Sequence, residues 1–140
     1  MPQSQEPQMQ RHICALELSR LCGNHMDLSI EHLTALVTAL SLHYQHGYQA
    51  FGRNLLPTDQ GPSDRYALLA THILYDLAQL TQNSSSLILG IILLDKLLKN
   101  SPNNFHAKLL SIKLYHLLGA YGYFHVGEGK RFKYLFQEEV

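Results

Sequence analysis

Charge is scarce in this chain, and what there is balances. Only 16% of the 140 residues are Asp, Glu, Lys or Arg, eleven acids against eleven bases. A nucleic-acid binder carries a basic excess, so that class is set aside. With 46% hydrophobic residues, so little charge implies helices covered on more than one side, or a piece of a larger body. Long apolar runs are missing too. The longest, 87–94, is eight residues and contains Gly90, whereas a membrane helix needs about 20. Residues 1–10 are polar and hold no apolar core of a secretory signal. Cysteine is limited to Cys14 and Cys22. On one helix their spacing corresponds to roughly 12 Å of rise, too far for a disulfide. They read as reduced thiols of an intracellular, cytoplasmic protein.

Motifs of chemistry are also absent. The sequence has nine histidines but no His-Glu-x-x-His. His43 and His46 lie three apart, without a cysteine or carboxylate at ligand spacing, and read as the polar side of a helix. No Gly-x-Ser-x-Gly elbow occurs. A phosphate loop ending at Gly129-Lys130 would need glycine where Phe124 stands and Ser or Thr where Arg131 stands. Lys130, Arg131 and Lys133, set among Phe132, Tyr134 and Phe136, read as an irregular tail. No residue is assigned a catalytic, cofactor or metal role.

What remains is helical grammar. Residues 1–7, rich in Gln, Pro and Ser, read as disordered. A first helix is expected over 8–22, stopped by Gly23 and Asn24. Ile30, Leu33, Val37, Leu40 and Tyr44 form the stripe of a second helix capped by Ser29. Tyr48 and Phe51 extend it until Gly52. The connector 53–62 holds Pro57, Gly61 and Pro62. Ser63 or Asp64 opens a third helix with Tyr66, Leu69, Ile73, Leu77 and Leu80 on one face. The fourth, 87–99, is apolar nearly all round. Ser101 as cap and Pro102 at the first helical position predict a fifth helix over 102–118, ended by Gly119. Phe105, Leu109 and Ile112 lie on one of its sides, and Leu110, Leu114, Leu117 and Leu118 broaden another. From Tyr121 on, Gly122, Gly127 and Gly129 crowd together and no stripe continues.

Helices joined by short polar turns point to an all-α, antiparallel, tetratricopeptide-like array of about five helices over 8–120, with an irregular tail over 121–140. Counted from Phe105, Tyr115, Gly119 and Tyr121 fall on tetratricopeptide positions, while Ser111 and Ile112 depart from the pattern. The expected role is a protein–protein scaffold. The competing readings are a stand-alone all-α domain binding a ligand or protein, and a non-functional truncated product.

A more specific resemblance lies in Leu55-Leu56-Pro57-Thr58-Asp59, Pro62-Ser63-Asp64-Arg65-Tyr66-Ala67-Leu68-Leu69-Ala70 and Leu74-Tyr75-Asp76-Leu77. Arg11-His12, Ser101-Pro102-Asn103-Asn104-Phe105, Lys108-Leu109-Leu110 and Leu118-Gly119-Ala120 extend it. Over about 11–121 the chain resembles the auxiliary, non-catalytic subunit of the N-terminal acetyltransferase B complex. Members of that family are several times longer, so the match corresponds to an internal region. The resemblance implies a right-handed helical superhelix that wraps a separate catalytic subunit and helps anchor it to ribosomes. That catalytic subunit uses acetyl-CoA on starting methionines followed by Asp, Glu, Asn or Gln. The auxiliary subunit is not an enzyme and contacts neither membrane nor nucleic acid directly. Binding to the catalytic subunit is expected to be weak if the chain is truncated.

For partner contact, Asp59 and Asp64 on the connector are candidates, although turn and cap chemistry competes for both. Leu110, Leu114 and Leu117 are the others. With Leu118 they are expected to reach water in part, and so to drive self-association through the last helix.

Overall fold

The computed structural model describes residues 2–52, 56 and 60–124, with side chains for 5–52, 56 and 60–120. Among these residues the elements are all helical: α1 (Pro2–Leu21), α2 (Ile30–Gly47), α3 (Asp64–Thr81), α4 (Ser85–Asn100) and α5 (Phe105–Phe124). A π-helical turn, Tyr48–Gly52, prolongs α2.

The centre of the fold is α3. It buries Tyr66, Ala67, Leu69, Ala70, Thr71, Ile73, Leu74, Tyr75, Leu77 and Ala78. Such residues on two sides of one helix require two neighbours, and α2 and α4 supply them. In turn α4 packs on α5 as well as on α3, and buries Leu87, Gly90, Ile91, Leu94 and Leu97. The three- and four-residue connectors after α3 and α4 make each successive pair antiparallel. Ile13, Leu33, Leu40 and Tyr44 complete the same core from α1 and α2. Each buried Leu or Ile contributes about 1.5–3 kcal/mol.

Turn chemistry fixes these joints. Gly23, at φ +83°, closes α1 with a Schellman turn: its N–H donates to Arg20 O and that of Asn24 to Ser19 O. Ser29 Oγ accepts from His32 N–H at 3.2 Å and caps α2. Gly47 lies where α2 meets α1 and the start of α3. A Cβ there would stand 2.5 Å from Ser63 Cβ and 3.0 Å from Met9 Sδ. Ser63 Oγ donates to Tyr44 O at 3.0 Å across this contact. Asn100 Nδ2 donates to Tyr44 Oη at 2.9 Å, while burial pushes that phenol up to about 12.

Several boundaries differ from those expected. The segment 1–7 was expected to be disordered, but α1 begins at Pro2 and passes through Pro7. The start of α5 is not capped by Ser101 with Pro102 at its first position. Ser101 instead ends α4, its N–H donating to Leu97 O, and Asn104 caps α5 by accepting from Ala107 N–H at 3.1 Å. Gly119 does not stop α5, which runs on to Phe124. Its backbone is not left-handed, so it does not make the turn that would end the helix. Of the expected tail 121–140, residues 125–140 lie outside the described residues.

Candidate partner-binding groove

Alternate helices share one face of the array. α1, α3 and α5 together line a groove of about 750 Å³. Its apolar floor is Leu68 and Leu69 from α3 with Leu109 and Leu110 from α5. Its walls carry Glu17 and Arg20 from α1, Arg65 and His72 from α3, and His106 and Lys113 from α5.

The charged groups are held in place rather than left loose. Arg65 Nε donates to Glu17 Oε1 at 2.7 Å, and its terminal nitrogens reach Gln10 Oε1 at 3.3 Å and Cys14 Sγ at 3.5 Å. Arg20 donates to both oxygens of Asp76, at 3.3 and 3.1 Å. Lys113 Nζ sits 5.7 Å from the centroid of the Tyr75 ring. These contacts tie α1 and α5 to α3 at a cost of little net charge, and exposed ion pairs of this kind contribute little to stability. His72 presents its exposed surface to the groove, yet burial of the ring, then the charges of Arg20 and Lys113, push it down to about 4. It is therefore neutral at physiological pH.

Of the residues expected to touch a partner, Asp64 and Leu110 are brought together on the groove. Asp64 is only 2% exposed, however, and its oxygens are taken. It accepts from Gly61 N–H and from Asn104 Nδ2, each at 3.0 Å, and from Ser101. Burial outweighs these bonds and raises its carboxyl above the usual range. It acts as a joint of the fold, with only an edge on the groove. Asp59 lies outside the described residues.

The leucines need correction. Leu114 and Leu117 are 1% and 0% exposed, so neither is a surface contact. Leu114 packs where α4 has only Gly90, whose absent Cβ would stand 3.2 Å from Leu114 Cδ1. Leu110 and Leu118 are half-buried. Among the described side chains, the exposed large apolar groups of α5 are Phe105, Leu109, Ile112 and Tyr115, alongside Ile88, Leu89 and Ile92 of α4. Periodicity had placed Phe105, Leu109 and Ile112 on one side of the helix, but not which side was covered.

His43 belongs to a packing cluster. Its ring stacks on Tyr66 with centroids 5.2 Å apart, and His12 meets it edge-on at 5.2 Å. His12 Nδ1 and the Tyr66 hydroxyl share a hydrogen bond of 2.7 Å. The cluster joins α1, α2 and α3. Among the described residues no helix is long and apolar enough to cross a membrane.

The model of the family described as N-acetyltransferase B complex (NatB) non catalytic subunit matches residues 1–126. The chain belongs to this family. It is similar to the proteins named phagocyte signaling-impaired protein of Aedes aegypti and Drosophila pseudoobscura pseudoobscura. These are 60% and 53% identical to it over 119 residues, 85% of the chain. It is 36% identical over 113 residues, 81% of the chain, to human N-alpha-acetyltransferase 25, NatB auxiliary subunit. It spans 13% of the length of the mosquito relative and 12% of the other two. The resemblance read from the connector and from the α4–α5 turn is thus family membership. As the family is that of a non-catalytic subunit, the chain is not itself an enzyme.

Proposed function

We propose that the chain is a scaffold segment of the NatB auxiliary subunit, and that its α1/α3/α5 groove docks a segment of the catalytic subunit. The observation that carries this is the convergence of alternate helices on one groove in a chain whose match to a non-catalytic subunit family covers residues 1–126. An array in which helices one, three and five share a face behaves as a tetratricopeptide-like solenoid, whose inner face is its binding face. The groove suits a protein segment: leucines form the floor, and fixed cations and hydrogen-bonding groups form the rim.

On this reading the segment works in the cytoplasm within the complete auxiliary subunit. That subunit holds the catalytic partner on the ribosome, where the partner acetylates methionines followed by Asp, Glu, Asn or Gln. The isolated chain binds the catalytic subunit weakly, because a wrapping scaffold gains affinity from many repeats engaged together. The exposed row Phe105, Ile112 and Tyr115 lies ready for a further surface, and in the isolated chain it supports self-association.

The test is a chimaera. The corresponding segment of a full-length auxiliary subunit is replaced by this chain, with and without Leu109→Glu and Arg65→Glu. The parent chimaera is expected to co-purify with the catalytic subunit and the double variant to lose it. Equal recovery of both rejects the groove as the docking site.

A further inference from the structure

Two helices of the array, α3 and α5, are built alike. Aligned on their first residues, Asp64 and Phe105, they carry two corresponding rows. The first row is Tyr66, Ala70, Ile73 and Leu77 in α3, and Ala107, Ser111, Leu114 and Leu118 in α5. In each case it faces the preceding helix. Tyr66 stacks on His43 of α2, and Leu114 Cδ1 lies 3.2 Å from where Gly90 of α4 would carry a Cβ. The row is buried in both helices, except that Leu118 is half-buried.

The second row differs between them. In α3 it is Ala67, Thr71, Leu74 and Ala78, none more than 4% exposed. The following helix covers it: a Cβ on Gly90 of α4 would meet Thr71 Cγ2 at 3.4 Å and Leu74 Cβ at 3.9 Å. The same row in α5 is Lys108, Ile112, Tyr115 and Gly119. All four are exposed, Ile112 at 67% and Tyr115 at 53%. Phe105, one turn earlier, is exposed as well. Gly119 fits the same pattern. Glycine weakens a helix interior, its backbone here is not left-handed, and nothing stands within 4 Å of where its Cβ would be. Its counterpart is the buried Ala78, so both helices keep a minimal side chain at that position.

The occupant of the second row on α3 is the next helix of the same chain, reached by a short turn and antiparallel to it. The chain spans 13% of the length of the mosquito relative, so most of such a protein lies outside the matched stretch. In a stacked array a helix with two apolar sides meets a neighbour on each. We propose that Phe105, Ile112 and Tyr115 seat a further helix of the complete auxiliary subunit, the next in the array and antiparallel to α5, as α3 seats α4. That helix is amphipathic and lays its apolar stripe on the row. Lys108, in the place of Ala67, covers apolar surface with its stem while its ammonium stays in water. The inference rests on the reading of the chain as a segment of the auxiliary subunit, and is independent of what the groove docks.

The experiment compares the whole isolated chain, diluted until ultracentrifugation shows a monomer, with a chimaera. The chimaera is the full-length mosquito relative with its matching stretch replaced by residues 1–126. Ile112→Cys and, separately, Tyr115→Cys are placed in both, and reaction with a maleimide is followed by mass spectrometry of the peptide holding the new cysteine. Both sites are exposed, so the substitutions leave the isolated chain folded. Labelling is expected to be fast in the isolated chain and roughly tenfold or more slower in the chimaera without any catalytic subunit. A benzophenone-maleimide on Ile112→Cys in the chimaera is expected to cross-link to the stretch that directly follows. Equal rates in the two proteins overturn the proposal. So does protection that appears only when catalytic subunit is added, which would make the row a partner face. Protection already present in the monomeric isolated chain would mean that its own residues cover the row, and overturns it too, as do cross-links confined to other stretches. Co-purification of the same chimaera with the catalytic subunit is scored separately, so that loss of docking and loss of this seat are told apart.

Discussion

Asn104 Nδ2 donates to Asp64 Oδ2 at 3.0 Å, linking two side chains 40 residues apart in the interior. The bond ties the first residue of α3 to the cap of α5, so these two helices, which both line the groove, are set relative to each other by a polar joint. Asn104 serves twice, because its Oδ1 also accepts from Ala107 N–H. Asn104→Ala is therefore expected to cost about 2–4 kcal/mol: about 1 for the lost cap and about 1–3 for the partner withdrawn from Asp64. Asp64→Asn is expected to cost less than Asp64→Ala. Urea unfolding followed by circular dichroism checks both, and a loss below 1 kcal/mol for Asn104→Ala would contradict the joint.

Three helical glycines should respond differently to alanine. Gly47→Ala is expected to destabilise despite the better helix former, since the new methyl meets Ser63 Cβ at 2.5 Å. At Gly90 the nearest atom, Leu114 Cδ1 at 3.2 Å, is the tip of a side chain that can give, so the change is expected to be small. At Gly119 nothing stands within 4 Å, and alanine is expected to stabilise by about 0.5–1 kcal/mol. Melting temperatures in the order Gly119→Ala, Gly90→Ala, Gly47→Ala, highest first, meet the expectation. Any other order counts against it.

Acid should weaken the fold between the ordinary histidine value of 6.5 and about 4. His72 is pushed down to about 4 in the folded chain, so the stability it contributes is present above 6.5 and is lost as pH falls through that window. His25 and His43 are lowered too and act in the same direction. Asp64 and Asp76, raised mainly by burial, act oppositely: their contribution is full below the ordinary carboxylate value and is lost as pH rises through their raised values. They therefore offset part of the histidine loss at its acid end. His72→Gln is expected to flatten the stability profile between pH 6.5 and 4, and an unchanged slope would refute the assignment.

Acetyl transfer is expected to be absent from the isolated chain. Incubation with acetyl-CoA and a peptide beginning Met-Asp should leave the peptide unmodified, as befits a family described as non-catalytic. Turnover that survives removal of every trace of catalytic subunit would overturn this.

Helix content was readable because local signals and burial agreed. Ser29 looked like a cap and is one, and the stripe Leu33, Leu40 and Tyr44 is buried as its spacing required. Even there Ile30, at the free end of the stripe, is 49% exposed, and on α3 so is Leu80 at 59%. The start of α5 was misread because Ser101, Asn103 and Asn104 are all capping residues. Asp64, distant in sequence, holds Asn104 in its capping position and bonds Ser101 as well. Gly119 looked like a stop, yet glycine ends a helix only where the backbone turns left-handed, and in α5 it does not. The two apolar sides of α5 were visible, but which side α4 would cover was not. The groove escaped altogether, since its walls come from helices far apart in sequence.

The most direct test of the docking groove is a methyl NMR titration of the isolated chain with the catalytic subunit, which reports weak binding residue by residue. The methyls of Leu68, Leu109 and Leu110 in the groove are expected to shift, and those of Ile88, Leu89 and Ile92 on the outer face of α4 to stay in place. Shifts confined to the outer face of α4, or none at all with a catalytic subunit that is active in its own complex, would contradict the groove as the place where the partner docks.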